Sequence, residues 1–281
     1  MSCGPFCMNM NEIERNAAFA RTIERLQKEP VPSSFHTHCT FCDGRDEPEA
    51  IVQEALRLGC PALGFSSHAP VAARKRLPGE TIEQAVCRNE AHMAEYRASI
   101  RALRAKYADR IQAFVGVEQD YFSETTTDDF DYVIGSVHLL PCADGFMPVD
   151  SSRERFEQGV RDYFGGDYYA AAETCYALVA HVYEKTRCTI IGHFDLITKY
   201  NEGDRLFSTA HPRYRAAAER ALDALLQTPA IFERNYGAIS RGYRTQPYLE
   251  GWMLEKLNAA GKEIVKTSDA HRLEHLLFGL N

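Results

Sequence analysis

Seven short β-like runs alternate with longer helical stretches along this chain, and that alternation constrains the fold more than any other feature. The runs are SSFHTH, ALGFSSH, QAFVGVEQD, DYVIGSVHLL, CTIIGHFDLI, AIFERNY and EIVKTSDAH. Helical patterns fall between most of them, in EPEAIVQEALRLG, AVCRNEAHMAEYRASIRALRAKYADR, DYYAAAETCYALVAHVYEKT, YRAAAERALDALLQT and PYLEGWMLEKLNAAG. Gly59 and Gly261 stand where helix C-caps are expected. Strands that alternate with helices predict parallel pairing through crossover connections. About seven such units suit a closed α/β barrel better than an open sheet.

No internal repeat or low-complexity linker divides the chain, so a single barrel domain is expected over residues 33–281. Residues 1–32 form an N-terminal helical appendage. Within it, residues 9–29 read as an amphipathic helix with Ile13, Ala17, Ala20 and Ile23 on one stripe, ended by Pro30 and Pro32. A length of 281 residues with 45% hydrophobic side chains is enough to bury a sizeable core. The formal net charge of -7 argues against a general nucleic-acid surface, which carries a basic excess. No apolar run reaches membrane-spanning length, and Met1 to Met10 lacks the basic flank and apolar stretch of a signal peptide. A cytoplasmic location is the expectation. Nine cysteines, an odd number, do not suit a disulfide framework. The CxxC at Cys39–Cys42 follows a strand end and has no second matching pair, so it reads as a pair of incidental loop cysteines.

In a β/α barrel the chemistry sits at the C-terminal ends of the strands. Here nearly every such end carries a side chain able to bind metal. The first run ends in His36 and His38, with Asp43 just beyond; the second ends in His68, the third in Glu118 and the fourth in His138. The fifth carries His193 and Asp195, and the last ends in Asp269 and His271. Residues i and i+2 of a strand share a face, so His36 and His38 stand side by side. Six of the ten histidines occupy these positions, while His92, His181, His211 and His275 fall in helical or loop patterns with surface or capping roles. Gathering so many ionisable groups in one barrel mouth is costly unless they coordinate cations. Imidazole nitrogen with carboxylate oxygen suits zinc, manganese or iron, and a cysteine-poor set argues against an iron–sulfur cluster. The HxxEH pattern at His271–His275 needs a helix and a further acidic ligand downstream, yet only six residues follow it, through to Asn281. No P-loop lysine motif and no GxSxG elbow is present.

The segments HTHCTFCDG, GFSSHAP, VGVEQDYF, YVIGSVHLL, IIGHFDLITKYN and KTSDAH occur in the order found in the PHP (polymerase and histidinol phosphatase) superfamily. The resemblance covers residues 33 to 281, and GFSSHAP, GVEQDY, IGSVH and GHFDL look like its stand-alone histidinol-phosphatase branch. It implies a distorted (β/α)7 TIM-like barrel with three divalent metal ions. One metal would take His36, His38, Glu118 and Asp269. Glu118 would bridge to a second held by His138 and His193, and Asp43, His68 and His271 would bind the third.

Such a cluster suits phosphate-ester hydrolysis, because divalent cations generate a metal-bound hydroxide near neutral pH and clamp phosphoryl oxygens. The remaining oxygens call for a guanidinium. Arg241 and Arg244 lie in the loop NYGAISRGYR, with a solvent-facing position as the alternative for each. Lys199 is a weaker phosphate candidate. Asp195 either orients His193 or a water, or makes a structural hydrogen bond. The expected reaction is hydrolysis of L-histidinol phosphate to histidinol and phosphate in histidine biosynthesis, with no nucleic-acid or membrane partner. Other small phosphate esters, phosphotyrosine proteins and nucleic-acid ends are alternative substrates. A non-catalytic scaffold of this fold should have lost ligands, and all nine positions here are competent.

Overall fold

A computed structural model describes residues 10–26, 29–71, 90–143, 145–249 and 251–281. Its centre is a parallel sheet of β1 (Ala62–Phe65), β2 (Gln112–Asp120), β3 (Tyr132–Ser136), β6 (Ile190–Ile191), β7 (Ile231–Asn235) and β8 (Ile264–Thr267), in that order. Residues 34–38 close the ring between the two edge strands. Ser34 bridges Leu63 on one side and Thr37 bridges Ala270 on the other, both in parallel. The amide of Ser66 donates to Thr37 O at 2.9 Å and that of His38 to Ala270 O at 2.8 Å. All seven expected runs are therefore in the ring, as a distorted TIM-like barrel.

Helices α2 (Pro48–Arg57), α3 (Glu90–Lys106), α5 (Tyr168–Val179), α6 (Val182–Thr186), α7 (Pro212–Leu226) and α8 (Trp252–Ala259) follow the expected helical stretches. The part of the third stretch before residue 90 lies outside the described residues. Buried faces such as Ile51, Val52 and Ala55 on α2, and Ala218, Leu222 and Leu225 on α7, pack against the strands in one continuous core. Among the described residues no helix is long and apolar enough to cross a membrane.

Three features differ from expectation. The run DYVIGSVHLL is two strands, β3 and β4 (Leu139–Cys142), broken around His138; β4 pairs antiparallel with β5 (Gly145–Pro148) as a hairpin. Helix α4 (Arg153–Phe164) follows, capped by the Ser152 hydroxyl, which accepts from Arg155 N, and closed by Gly165 in the left-handed region. Its charge-rich sequence buries only Phe156, Gly159 and Val160, so the apolar pattern is too thin to read. Third, helix α1 (Met10–Leu26) presents Asn16, Phe19, Ile23 and Leu26 inward, and Ala17 is exposed. The expected stripe is thus rotated, because Phe19 and Leu26 bury far more apolar area than alanines do. These side chains join Phe35, Ala62, Phe114, Tyr132, Ile190, Ile231 and Val265 in a second cluster. Most of these residues belong to the N-terminal halves of the barrel strands, so α1 floors the end opposite the strand termini that carry histidines.

Candidate metal centre

All nine expected ligands converge at the C-terminal mouth. Parallel pairing brings this about: each strand delivers its polar end residue to the same rim, and β2 runs long enough to place Glu118 beside His68, its bridge partner from the β1 end. Glu118 is the hub, and its two oxygens face different groups. Oε2 lies 3.3 Å from His36 Nε2, 3.4 Å from His38 Nε2 and 3.0 Å from His68 Nδ1. Oε1 lies 3.0 Å from His138 Nε2 and 2.9 Å from His193 Nε2, and it accepts from Ser136 Oγ at 2.7 Å. Asp269 Oδ1 completes the first group, 3.7 Å from His36 Nε2 and 3.5 Å from His38 Nε2. The third group is Asp43 Oδ1, 3.5 Å from both His68 Nε2 and His271 Nε2.

The separations of 3.3–3.7 Å among His36, His38, Glu118 and Asp269, and among Asp43, His68 and His271, are long for hydrogen bonds and fit shared cations. His138 and His193, by contrast, lie at hydrogen-bond distance from Glu118 Oε1. Atoms bound at about 2.1 Å around a tetrahedral ion stand roughly 3.4 Å from one another. The Nε2 atom of His38 is buried and has no hydrogen-bond partner among the described residues, although two carboxylate oxygens face it. A buried polar atom left so is costly unless a ligand meets it. The donor set therefore fits divalent metal ions.

The local backbone is built around these side chains. Asp269 has φ +47°, a strained value for a non-glycine residue, and its carboxylate lies where a Cβ on Gly237 would stand 2.5 Å from Oδ2. Gly44 follows Asp43 for a similar reason: a Cβ there would come within 2.4 Å of Cys39 N.

A ring of partners orients the ligands, as outer groups around metal sites commonly do. Fully buried Glu233 accepts from His36 Nδ1 at 2.8 Å, His193 N at 2.6 Å, Asn235 Nδ2 at 2.9 Å and Thr267 Oγ1 at 2.7 Å. Asp120 Oδ2 accepts from His138 N at 2.8 Å and lies 3.3 Å from its Nδ1. Cys42 Sγ lies 3.3 Å from His38 Nδ1, so this cysteine supports the site and is not incidental. Applied to AIFERNY, the strand-end rule would have found Glu233, and the i+2 rule from Glu118 would have found Asp120. Cys42 sits in a loop without a periodic signal.

The charges reinforce one another. Burial lowers the basicity of His36 and His38, but the surrounding anionic groups overcome it: Glu233, Asp269 and Glu118 raise His36 well above its ordinary value, and His38 is pushed up to about 10. His68 goes the other way, to about 3, chiefly through burial. Burial opposes ionisation of Glu118 and Asp269 as well, yet the adjoining histidines, with Arg241 beside Asp269, hold both well below the usual carboxylate range.

The substrate candidates are placed unequally. Arg241 donates through Nη1 to Asp269 O at 2.8 Å and through Nη2 to Asp269 Oδ2 at 2.9 Å. It is therefore tied to an expected metal ligand, with 22% of its side chain exposed to the mouth. Arg244 is buried, donates to Thr198 Oγ1 and has Nη1 3.9 Å from Asp195 Oδ2. Lys199 Nζ donates to Asp150 O at 2.7 Å, and Asp150 Oδ2 lies 4.0 Å away. Asp195 accepts from Leu249 N at 2.8 Å and makes no ion pair with His193 among the described residues. His275 lies on a single 3-10 turn, Leu273–His275, that His271 precedes, so the HxxEH residues share no α-helix.

Comparison with known proteins places the chain. It is similar to the histidinol-phosphatase of Bacillus subtilis, with 24% identity covering 84% of this chain and 92% of that protein. The solved structure of hisK from Listeria monocytogenes superposes with TM-score 0.74 at 19% identity, covering 88% of this chain and 98% of that one. Histidinol phosphate phosphatase from Lactococcus lactis, solved with zinc, L-histidinol and phosphate, superposes with TM-score 0.58 at 20% identity, covering 86% of each chain. Residues 34–237 match the PHP domain, and the chain belongs to that family.

Proposed function

We propose that the chain is a metal-dependent phosphomonoester hydrolase that converts L-histidinol phosphate and water into L-histidinol and phosphate, in the cytoplasm. The observation that carries the reading is Glu118, whose two oxygens face two separate groups of imidazole nitrogens. Three ions, with zinc, manganese and iron as candidates, would be held by His36, His38, Glu118 and Asp269, by Glu118, His138 and His193, and by Asp43, His68 and His271. When bound, such ions supply Lewis-acid charge to phosphoryl oxygens and an activated water. The names and contents of the similar proteins support the substrate.

The chain's own residues do the rest. Glu233 and Asp120 fix the rings of His36 and His138, so that each presents Nε2 to the centre. Arg241 and Lys199 line the mouth with positive charge for a phosphoryl dianion; Arg241 also fixes Asp269. Asp195 holds the Leu249 backbone, next to Tyr248, whose ring meets the His193 imidazole. The test is hydrolysis by metal-loaded protein of a phosphomonoester panel that includes histidinol phosphate, phosphotyrosine peptides and nucleotide ends. Histidinol phosphate is expected to show the highest kcat/KM. Preference for another member would move the substrate and leave the chemistry.

A further inference from the structure

Tyr248 sits between β7 and α8, fully buried, with a hydroxyl that has no hydrogen-bond partner among the described residues. Its position is enforced from both sides. Tyr248 N donates to Asn235 O at 2.9 Å, and Leu249 N donates to Asp195 Oδ1 at 2.8 Å. Leu249 itself has φ +63°, strain that the surrounding contacts must hold in place. The Tyr248 ring meets the His193 imidazole edge-on at 6.1 Å, and the Arg244 guanidinium lies over its face at 5.0 Å. The contact with the expected ligand His193 places the phenol beside the metal centre, where Arg244, Arg241, Asp195 and Asp269 act on it.

A buried hydroxyl without a partner costs stability, and phenylalanine would fill the same space at no such cost. The chain instead keeps the hydroxyl on a ring that packs against the His193 imidazole and under the Arg244 guanidinium, which accepts no hydrogen bond. An anionic oxygen of a ligand at the centre is an acceptor that a phenol and an arginine can share. We infer that the Tyr248 hydroxyl is a binding group for the phosphoryl moiety, donating to one of its oxygens in substrate and in product phosphate. This rests on the phosphatase reading of the site above.

The test compares metal-loaded wild type with Tyr248→Phe by calorimetric titration of inorganic phosphate, thermal melting, elemental analysis and turnover. The variant should bind phosphate about tenfold to a hundredfold more weakly, the range for a hydrogen bond to a charged group. The kcat/KM for the best phosphomonoester should fall by a similar factor, with metal content unchanged and Tm equal or higher. Equal phosphate affinity in the two proteins overturns the inference, as does a variant that loses phosphate binding together with its metal or its fold. The substrate reading is tested separately by the wild type. Turnover of another phosphomonoester in place of histidinol phosphate overturns that reading and leaves the Tyr248 comparison intact.

Discussion

At the scale of single residues, the nine expected ligands hold each other's charge. Glu118 touches more of them than any other group, so Glu118→Gln removes charge from two coordination groups with little change of shape. Metal content and turnover should both collapse in that variant. Near-normal activity in a folded Glu118→Gln protein would rule out the bridge.

Arg241 carries a second prediction. From the sequence it reads as a phosphate clamp independent of the metals, but the structure ties it to Asp269. Arg241→Ala should therefore lower both phosphate affinity and metal retention, and cost about 1.5–3 kcal/mol in kcat/KM. Arg241→Lys should recover only part of this, since an ammonium cannot reproduce the two-pronged contact. Undiminished metal content by elemental analysis would restore the independent clamp.

The protons give a third. In the metal-free fold, His38 is raised from 6.5 to about 10, so its contribution to stability is full below about pH 6.5 and is lost as pH rises toward 10. Glu118 and Asp269 are lowered, so theirs is present above about pH 4 and is lost as pH falls through their folded values. Metal binding needs neutral rings. Zinc titrated into metal-free protein at pH 7 should thus release protons, seen as a heat that varies with the ionisation enthalpy of the buffer. A buffer-independent heat would mean that the rings are already neutral.

At the scale of elements, α1 is the part whose role the sequence left most open. Phe19 stacks on Tyr132 with ring centroids 4.4 Å apart and meets Phe35 edge-on at 5.2 Å. Tyr132 in turn donates to Phe35 O at 2.7 Å, one residue before the expected ligand His36. Burial of Phe19, Ile23 and Leu26 contributes roughly 1.5–3 kcal/mol each. Phe19→Ala should cost about 3–5 kcal/mol, measured by denaturant unfolding. If instead residues 1–32 can be removed with no loss of stability, they are an appendage in the energetic sense as well. The hairpin of β4 and β5 was not legible because β4 merges with β3 in one apolar run. Its consequence is local: Val149 N donates to His138 O at 2.9 Å, and the hairpin returns the chain with Asp150 at the mouth. The carbonyl of Asp150 accepts from both Lys199 Nζ and Tyr200 OH at 2.7 Å.

At the scale of the whole molecule, the ring of strands and its polar rim were readable for one reason. Ionisable residues at the ends of apolar runs are too costly to be incidental when six histidines and three acids share the pattern. His36, His38, His68, His138, His193 and His271 were visible that way, as were Glu118, Asp269 and Asp43. Tyr248 and Cys42 were not, because a loop residue carries no periodicity and its role depends on what folds against it. Arg241 was visible as a residue but not as a partner of Asp269, a contact 28 positions away in sequence. The most direct measurement is anomalous scattering from crystals of the metal-loaded protein. Ions are expected within about 2.0–2.2 Å of each Glu118 oxygen, with a third among Asp43, His68 and His271. Metal-replete crystals in which no ion lies within roughly 3 Å of Glu118 would contradict this.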